Sequence, residues 1–215
     1  MSQPADPIQI DDEILVSFPR RYVRAFFPLL GIEGGWVDDP VDRGGATKWG
    51  ISLRFLVAAG QIDRDEDGYA DFDLDFDGDI DADDIRKLTV EHAFFLYHEH
   101  FWKPLDAGSF PEPIGEMLFD QGVNGGNRAA RKLLQQAINE GLEDVGERLI
   151  LVDGQIGPVT RKMMRIVIDV LGVDHLAEDF REVVRARYRA IVRRNPSQRR
   201  FLRGWLNRAD QLGRH

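Results

Sequence analysis

Cysteine is absent from all 215 residues, which excludes disulfides, thiolate metal centres and a cysteine nucleophile while leaving the redox compartment open. Apolar runs are short, and none approaches the roughly 18 residues that a membrane span needs. Residues 1–12 are polar and acidic and lack the basic start and apolar stretch of a secretory leader. The expectation is a chain made in the cytoplasm, with no membrane span and no self-directed export. No linker rich in Pro, Gly and Ser interrupts the sequence, so one continuous body is expected. His92, His98 and His100 lie close together but lack the His-Glu-x-x-His spacing of a zinc hydrolase, so they read as structural.

Charge is abundant and unevenly placed. The net charge is −9. Residues 1–119 carry 10 Lys and Arg against 25 Asp and Glu, whereas residues 120–215 carry 18 against 12. A basic half of this kind is either a set of solvated helix faces or a contact surface for an anionic polymer, nucleic acid or cell wall.

Periodicity points to helices. Ser17-Phe18-Pro19 opens one in which Val23, Phe26, Phe27 and Leu30 recur at helical spacing, with Pro28 predicting a kink or break. From Gly34 to Gly50 the pattern becomes irregular, with at most a small hairpin. Leu53, Leu56 and Val57 predict a short helix closed by Gly60, and the helical pattern returns with Ile85 and Leu88 and again in 89–102. The second half is nearly all helix. Its apolar stripes are 129–138, then Met163, Val167, Val170 and Leu171 after Pro158, then 176–191, with Phe201, Leu202 and Trp205 in a last helix.

The most informative pair of carboxylates lies at the entry to the irregular stretch and within it. Cleaving a glycosidic bond needs a proton donor for the leaving oxygen and, in inverting enzymes, a second carboxylate that places water on the opposite face. Glu33 sits between Ile32 and Trp36, apolar neighbours that favour its protonated form, while Asp42 lies in a polar, glycine-rich turn.

Glu33-Gly34-Gly35-Trp36, followed by Asp39-Pro40-Val41-Asp42-Arg43-Gly44-Gly45-Ala46-Thr47-Lys48-Trp49-Gly50-Ile51, resembles the Glu-Gly-Gly-aromatic signature of glycoside hydrolase family 108, the N-acetylmuramidases. The resemblance implies that Glu33 is catalytic. The order Glu33, Asp42, Thr47 is also similar to the Glu, Asp, Thr triad of phage lysozymes, with Asp42 and Thr47 one residue closer here. The likeness continues through Leu88-Thr89, 93–102 and 119–126. Beyond it, 120–170 resembles a predicted peptidoglycan-binding module, on Leu134-Gln135-Gln136-Ala137 and Asp153-Gly154-Gln155-Ile156-Gly157-Pro158.

Trp36 and Trp49 can stack on sugar rings or pack beneath the wing. Gln121 and Asn124 can bind N-acetyl groups or cap the helix that follows, and Asn127 reads as a cap. The expected architecture is mainly α, an α+β lysozyme-like helical body with a small irregular or β wing. A flexible 1–16 precedes a catalytic region 17–119 with an aspartate-rich insert at 61–88, and a wall-binding-like region 120–215 completes the body.

That insert fits a calcium loop. Asp73, Asp75, Asp77, Asp79 and Asp84 fall at positions one, three, five, seven and twelve, with Gly78 at six and Ile80 at eight. Aspartate at twelve resembles dockerin loops. Asp63, Asp65, Asp67 and Asp71 begin a weaker copy whose twelfth position is Leu74, which cannot bind a cation. One or two structural Ca2+ ions are expected, and none for the chemistry. The expected activity is inverting hydrolysis of the bond between N-acetylmuramic acid and N-acetylglucosamine. A lytic transglycosylase and a catalytically silent, calcium-stabilised wall-binding protein are the alternatives. The resemblance implies peptidoglycan as partner and, for access to the wall, a holin-type pore of an endolysin or a secretion apparatus. A monomer that binds no nucleic acid is expected.

Overall fold

The computed structural model describes residues 10–30, 46–61, 66 and 68–214. The chain divides into two compact units, 1–100 and 101–215. Among the described residues, no helix is long and apolar enough to cross a membrane.

The first unit opens with α1 (Asp12–Val16), in a stretch that its polarity marked as flexible. Asp11 explains the difference, because its side chain accepts the Glu13 N–H at 2.8 Å and caps the helix, with Ile10 buried just before it. Helix α2 (Arg20–Phe26) gives way to a 3₁₀ turn, Phe27–Leu30, where Pro28 cannot continue the α-helical ladder. Strands β1 (Thr47–Lys48) and β2 (Ile51–Ser52) form an antiparallel hairpin. Helix α3 (Leu53–Ala59) follows, its start capped by Ser52 and its end closed at Gly60. After the acidic stretch come α4 (Ala82–Lys87) and α5 (Val90–Tyr97).

Aromatic rings form the core here. Phe94 meets Tyr22 at 4.8 Å and Phe26 at 4.9 Å between ring centroids, and the Tyr22 hydroxyl donates to the Phe94 carbonyl. Burial drives the Tyr22 phenol well above its ordinary range, so the hydroxyl stays a donor at any physiological pH. The histidines serve structure. The His92 ring accepts the Thr89 N–H in a capping box, His98 packs on Tyr22 and His100 on Phe55.

A π-helical turn, His98–Trp102, leads into the second unit. This unit holds α6 (Lys103–Leu105), α7 (Ile114–Gly125), α8 (Asn127–Asp144), α9 (Pro158–Leu171), α10 (Val173–Arg194), a 3₁₀ turn (Pro196–Phe201) and α11 (Leu202–Gln211). A boundary at 119 would cut α7, whose buried Met117, Leu118 and Phe119 belong to the second unit's core, so the units part earlier than the sequence motifs do.

Helix α8 buries Ala130, Leu133, Leu134, Ala137 and Ile138 as the stripe predicts. On α9 the inward face is Thr160, Met164 and Val167, and Val170 is exposed. Phe201 is 41% exposed rather than buried, and it stacks on Trp205 at the surface. Helices α10 and α11 are joined by charge. Buried Arg181 donates to the Leu212 carbonyl and Glu178, and Arg185 to Asp210 at 2.7 Å.

Asp179 of α10 faces His175, Asp144 and Glu140. Burial, opposed by His175 and reinforced by Asp144, Glu140 and Glu178, pushes its carboxyl from 3.8 up to about 6. Between those two values the folded chain holds a proton that the unfolded chain has released, so stability falls as pH rises through that window. Asp179→Asn is expected to remove this decline, read as urea midpoints that fall less than those of the parent between pH 4 and pH 7. An unchanged pH profile in the variant would show that Asp179 is not the group responsible.

Candidate catalytic wing and acidic loop

The wing is a two-residue hairpin. Thr47 pairs with Ser52 and Lys48 with Ile51, leaving Trp49 and Gly50 as the turn, at φ +54° and +75°. Two left-handed residues make the turn whose twist suits a hairpin, normally Asn-Gly or Gly-Gly. A tryptophan in the first place is uncommon, and its surroundings account for it. Its ring is buried, its Nε1 donates to the Leu88 carbonyl at 3.1 Å, and the Tyr97 hydroxyl donates to its carbonyl at 3.1 Å. Glycine is required next, because a Cβ there would lie 2.3 Å from the Tyr97 oxygen. Lys48 reaches the Arg86 carbonyl, and Leu53 N–H bonds the Ala46 carbonyl at 2.8 Å. The hairpin is thus tied to the C-terminal end of α4.

Of the residues that sequence nominated for catalysis, Thr47 is half-buried on β1. Glu33, Trp36 and Asp42 lie outside the described residues. Trp49 takes the packing role of its two possible ones, since a ring 8% exposed with its N–H engaged offers no open face to a sugar.

In the second unit, Gln121 is fully buried on α7. Its Nε2 donates to Asp120 at 3.0 Å, and its Oε1 has no hydrogen-bond partner among the described residues. Asn124 is exposed in the last turn of the same helix, with its amide turned back on Asp120 rather than capping α8. Nor does Asn127 cap, because the N-cap of α8 is Gly126. Asp120 joins these groups and binds Arg208 at 2.7 Å, a hub that sequence left without a role. An Arg 88 positions away carries no local signal.

The acidic loop closes around its own backbone. Asp73 is 3% exposed and accepts the N–H of Asp77 at 3.1 Å and of Gly78 at 2.8 Å, while Gly78 stands at φ +101°. Asp84, wholly buried, accepts Leu74 N–H at 2.6 Å and Asp81 N–H at 2.7 Å, and Ile80 is buried beneath. Carboxylate oxygens of Asp73, Asp75 and Asp84 lie within 4.8 Å of one another. Lys87 is the nearby cation, 3.1 Å from Asp75. Asp77 and Asp79 are exposed outside that trio, and repulsion from Asp77 raises the Asp79 carboxyl. Asp63, Asp65 and Asp67 lie outside the described residues, and Asp71 is half-buried ahead of the loop.

Glycosyl hydrolase 108 matches residues 27–126, and a family described as "Predicted Peptidoglycan domain" matches residues 129–210. The solved structure of Brucella abortus SagA shares the fold, with a TM-score of 0.58 over 91% of this chain and 97% of that one, at 22% sequence identity. No curated protein matches the chain.

Gly50→Ala tests the wing. It places a Cβ against the Tyr97 hydroxyl at a left-handed backbone position, and the expected loss is about 1–3 kcal/mol of stability in denaturant melts. The same change with Tyr97→Phe, which removes the clashing oxygen, is expected to cost less than the sum of the two single changes.

Proposed function

We propose that the chain, whose residues 27–126 match the glycosyl hydrolase 108 family and whose residues 129–210 match a peptidoglycan domain, hydrolyses peptidoglycan with Glu33 as its acid catalyst. The family match across 27–126 carries the reading, because it spans the Glu-Gly-Gly signature, Asp42 and the hairpin together. The lysozyme-like, mainly helical fold agrees with it. Glu33 protonates the glycosidic oxygen between N-acetylmuramic acid and N-acetylglucosamine, and Asp42 orients a water for attack on the opposite face. Inversion requires about 6.5–9.5 Å between the two carboxyl groups, room for that water. Thr47, on the hairpin that Trp49 and Tyr97 lock, then holds the water or the sugar through its hydroxyl.

Glu33→Gln is expected to lower the release of reducing ends from purified sacculi by about 10²-fold or more, the usual contribution of a general acid. Full activity in that variant would remove Glu33 from the mechanism. Product mass separates the two chemistries, because anhydro-muramic ends in place of reducing ends would replace hydrolysis with transglycosylation.

The same proposal assigns one Ca2+ to the loop of Asp73, Asp75 and Asp84. Three carboxylates this close, one of them fully buried, favour a divalent counter-charge, and the loop's N–H groups already hold Asp73 and Asp84 in place. Its role is structural, holding α4 and, through the Arg86 and Leu88 carbonyls, the wing. After chelation, added Ca2+ is expected to raise Tm by several degrees in the parent and not in Asp84→Asn. No shift, with no ion retained in native mass spectrometry, would overturn the assignment.

A further inference from the structure

Between α8 and α9 the chain runs through 147–152 without helix, turn or bend. One side of this segment is already paired. Asn139 of α8 accepts the Ile150 N–H at 2.9 Å and donates to the Ile150 carbonyl at 3.0 Å, as the peptide of a neighbouring strand would. In extended chain the N–H and carbonyl of successive residues point to opposite sides. Those of Leu149 and Leu151 therefore face away from α8, and among the described residues neither bonds to anything in the protein. Their side chains are 46% and 77% exposed.

This open edge borders a groove of about 520 Å³, whose other wall is the first turns of α9, including the exposed Val159. The floor is rigid. Buried Gln135 donates to Asp153 at 2.9 Å and to the Gln155 carbonyl at 3.1 Å, and accepts the Gly154 N–H at 2.7 Å. Arg148 and Asp153 put one charge of each sign on the lining, and Arg148 is exposed, with no carboxylate partner among the described residues. The Gln135 hydrogen bond holds Asp153 below the usual carboxylate range, so its negative charge persists.

Resting on the peptidoglycan reading above, we infer that this groove binds the stem peptide of peptidoglycan rather than its sugars. The lining contains no aromatic ring, so it lacks the flat platform on which a sugar stacks. What it offers is main-chain pairing at 149 and 151, apolar side chains, and a separated positive and negative charge. A short extended peptide with a free carboxylate and a diamino-acid ammonium matches each of these: its backbone adds to the edge, its carboxylate meets Arg148 and its ammonium meets Asp153.

The test uses the full chain carrying Glu33→Gln, co-sedimented with intact sacculi and with sacculi stripped of stems by an N-acetylmuramoyl-L-alanine amidase. Stripping is expected to reduce retention about tenfold, and a soluble stem tetrapeptide containing the diamino acid is expected to compete and to bind in calorimetry. Adding Leu151→Pro, which removes one open N–H, or Arg148→Glu is expected to weaken calorimetric binding of the peptide by a similar factor. Thermal melts verify that each variant is folded, and Arg148→Glu decides the matter where the proline variant is not. Equal retention on stripped glycan, or undiminished peptide binding by Arg148→Glu, would overturn the inference. Cleavage is scored separately with the parent chain: failure to release sugar ends counts against the hydrolase reading, and the peptide-binding result stands independently of it.

Discussion

The Leu88 carbonyl accepts the indole N–H of Trp49, and the geometry of the first unit follows from that contact. It holds a bulky ring inside the core from a left-handed backbone position, and so fixes a turn that would otherwise need Asn or Gly. Tyr97 closes the same turn from α5, and the space its hydroxyl occupies excludes any residue but glycine at position 50. The two strands are only two residues long each, too short to hold themselves together. Their position is set by helices α4 and α5. A threonine on such a hairpin is placed by the core and not by the sheet.

The second unit is held by different means. Apolar stripes on α7, α8 and α10 form its centre, while its outer seams are polar: Arg181 and Arg185 join α10 to α11, Asp120 joins α7 to α11, and Asn139 and Gln135 fasten the loop before α9. Each of these side chains satisfies a backbone group or a buried charge that would otherwise cost stability. The basic composition of this half is thereby partly accounted for, since several of its arginines face inward or along seams rather than toward a ligand.

Much of this was legible from the residues. The 3₁₀ turn at Pro28, the end of α3 at Gly60, the start of α9 at Pro158 and the stripe of α8 all follow from backbone chemistry or period, which act locally. The acidic loop closes by equally local contacts, because Asp73, Gly78 and Asp84 act within a dozen residues, although the sequence spoke for a calcium loop and not for these backbone hydrogen bonds. What escaped was non-local or depended on a few degrees of helix rotation. Val170 and Phe201 fit an apolar period yet face outward, because the neighbours that decide a face lie elsewhere in the chain. Trp49 had two readings until Leu88, 39 positions away, engaged its N–H. The Asp120 hub and the Asn139 clamp pair ordinary residues across distances that no spacing rule covers.

Helix α4 is only six residues long, about 9 Å from end to end. Its first turn is gripped by Asp81 and Asp84 of the acidic loop, and the carbonyls at its far end hold Lys48 and Trp49. A short helix fixed at both ends behaves as a strut, so a shift at one end reaches the other without being absorbed between them. Linkage would then run in both directions: whatever an ion in the loop contributed to ordering the wing, an engaged wing would return as tighter ion binding at the loop.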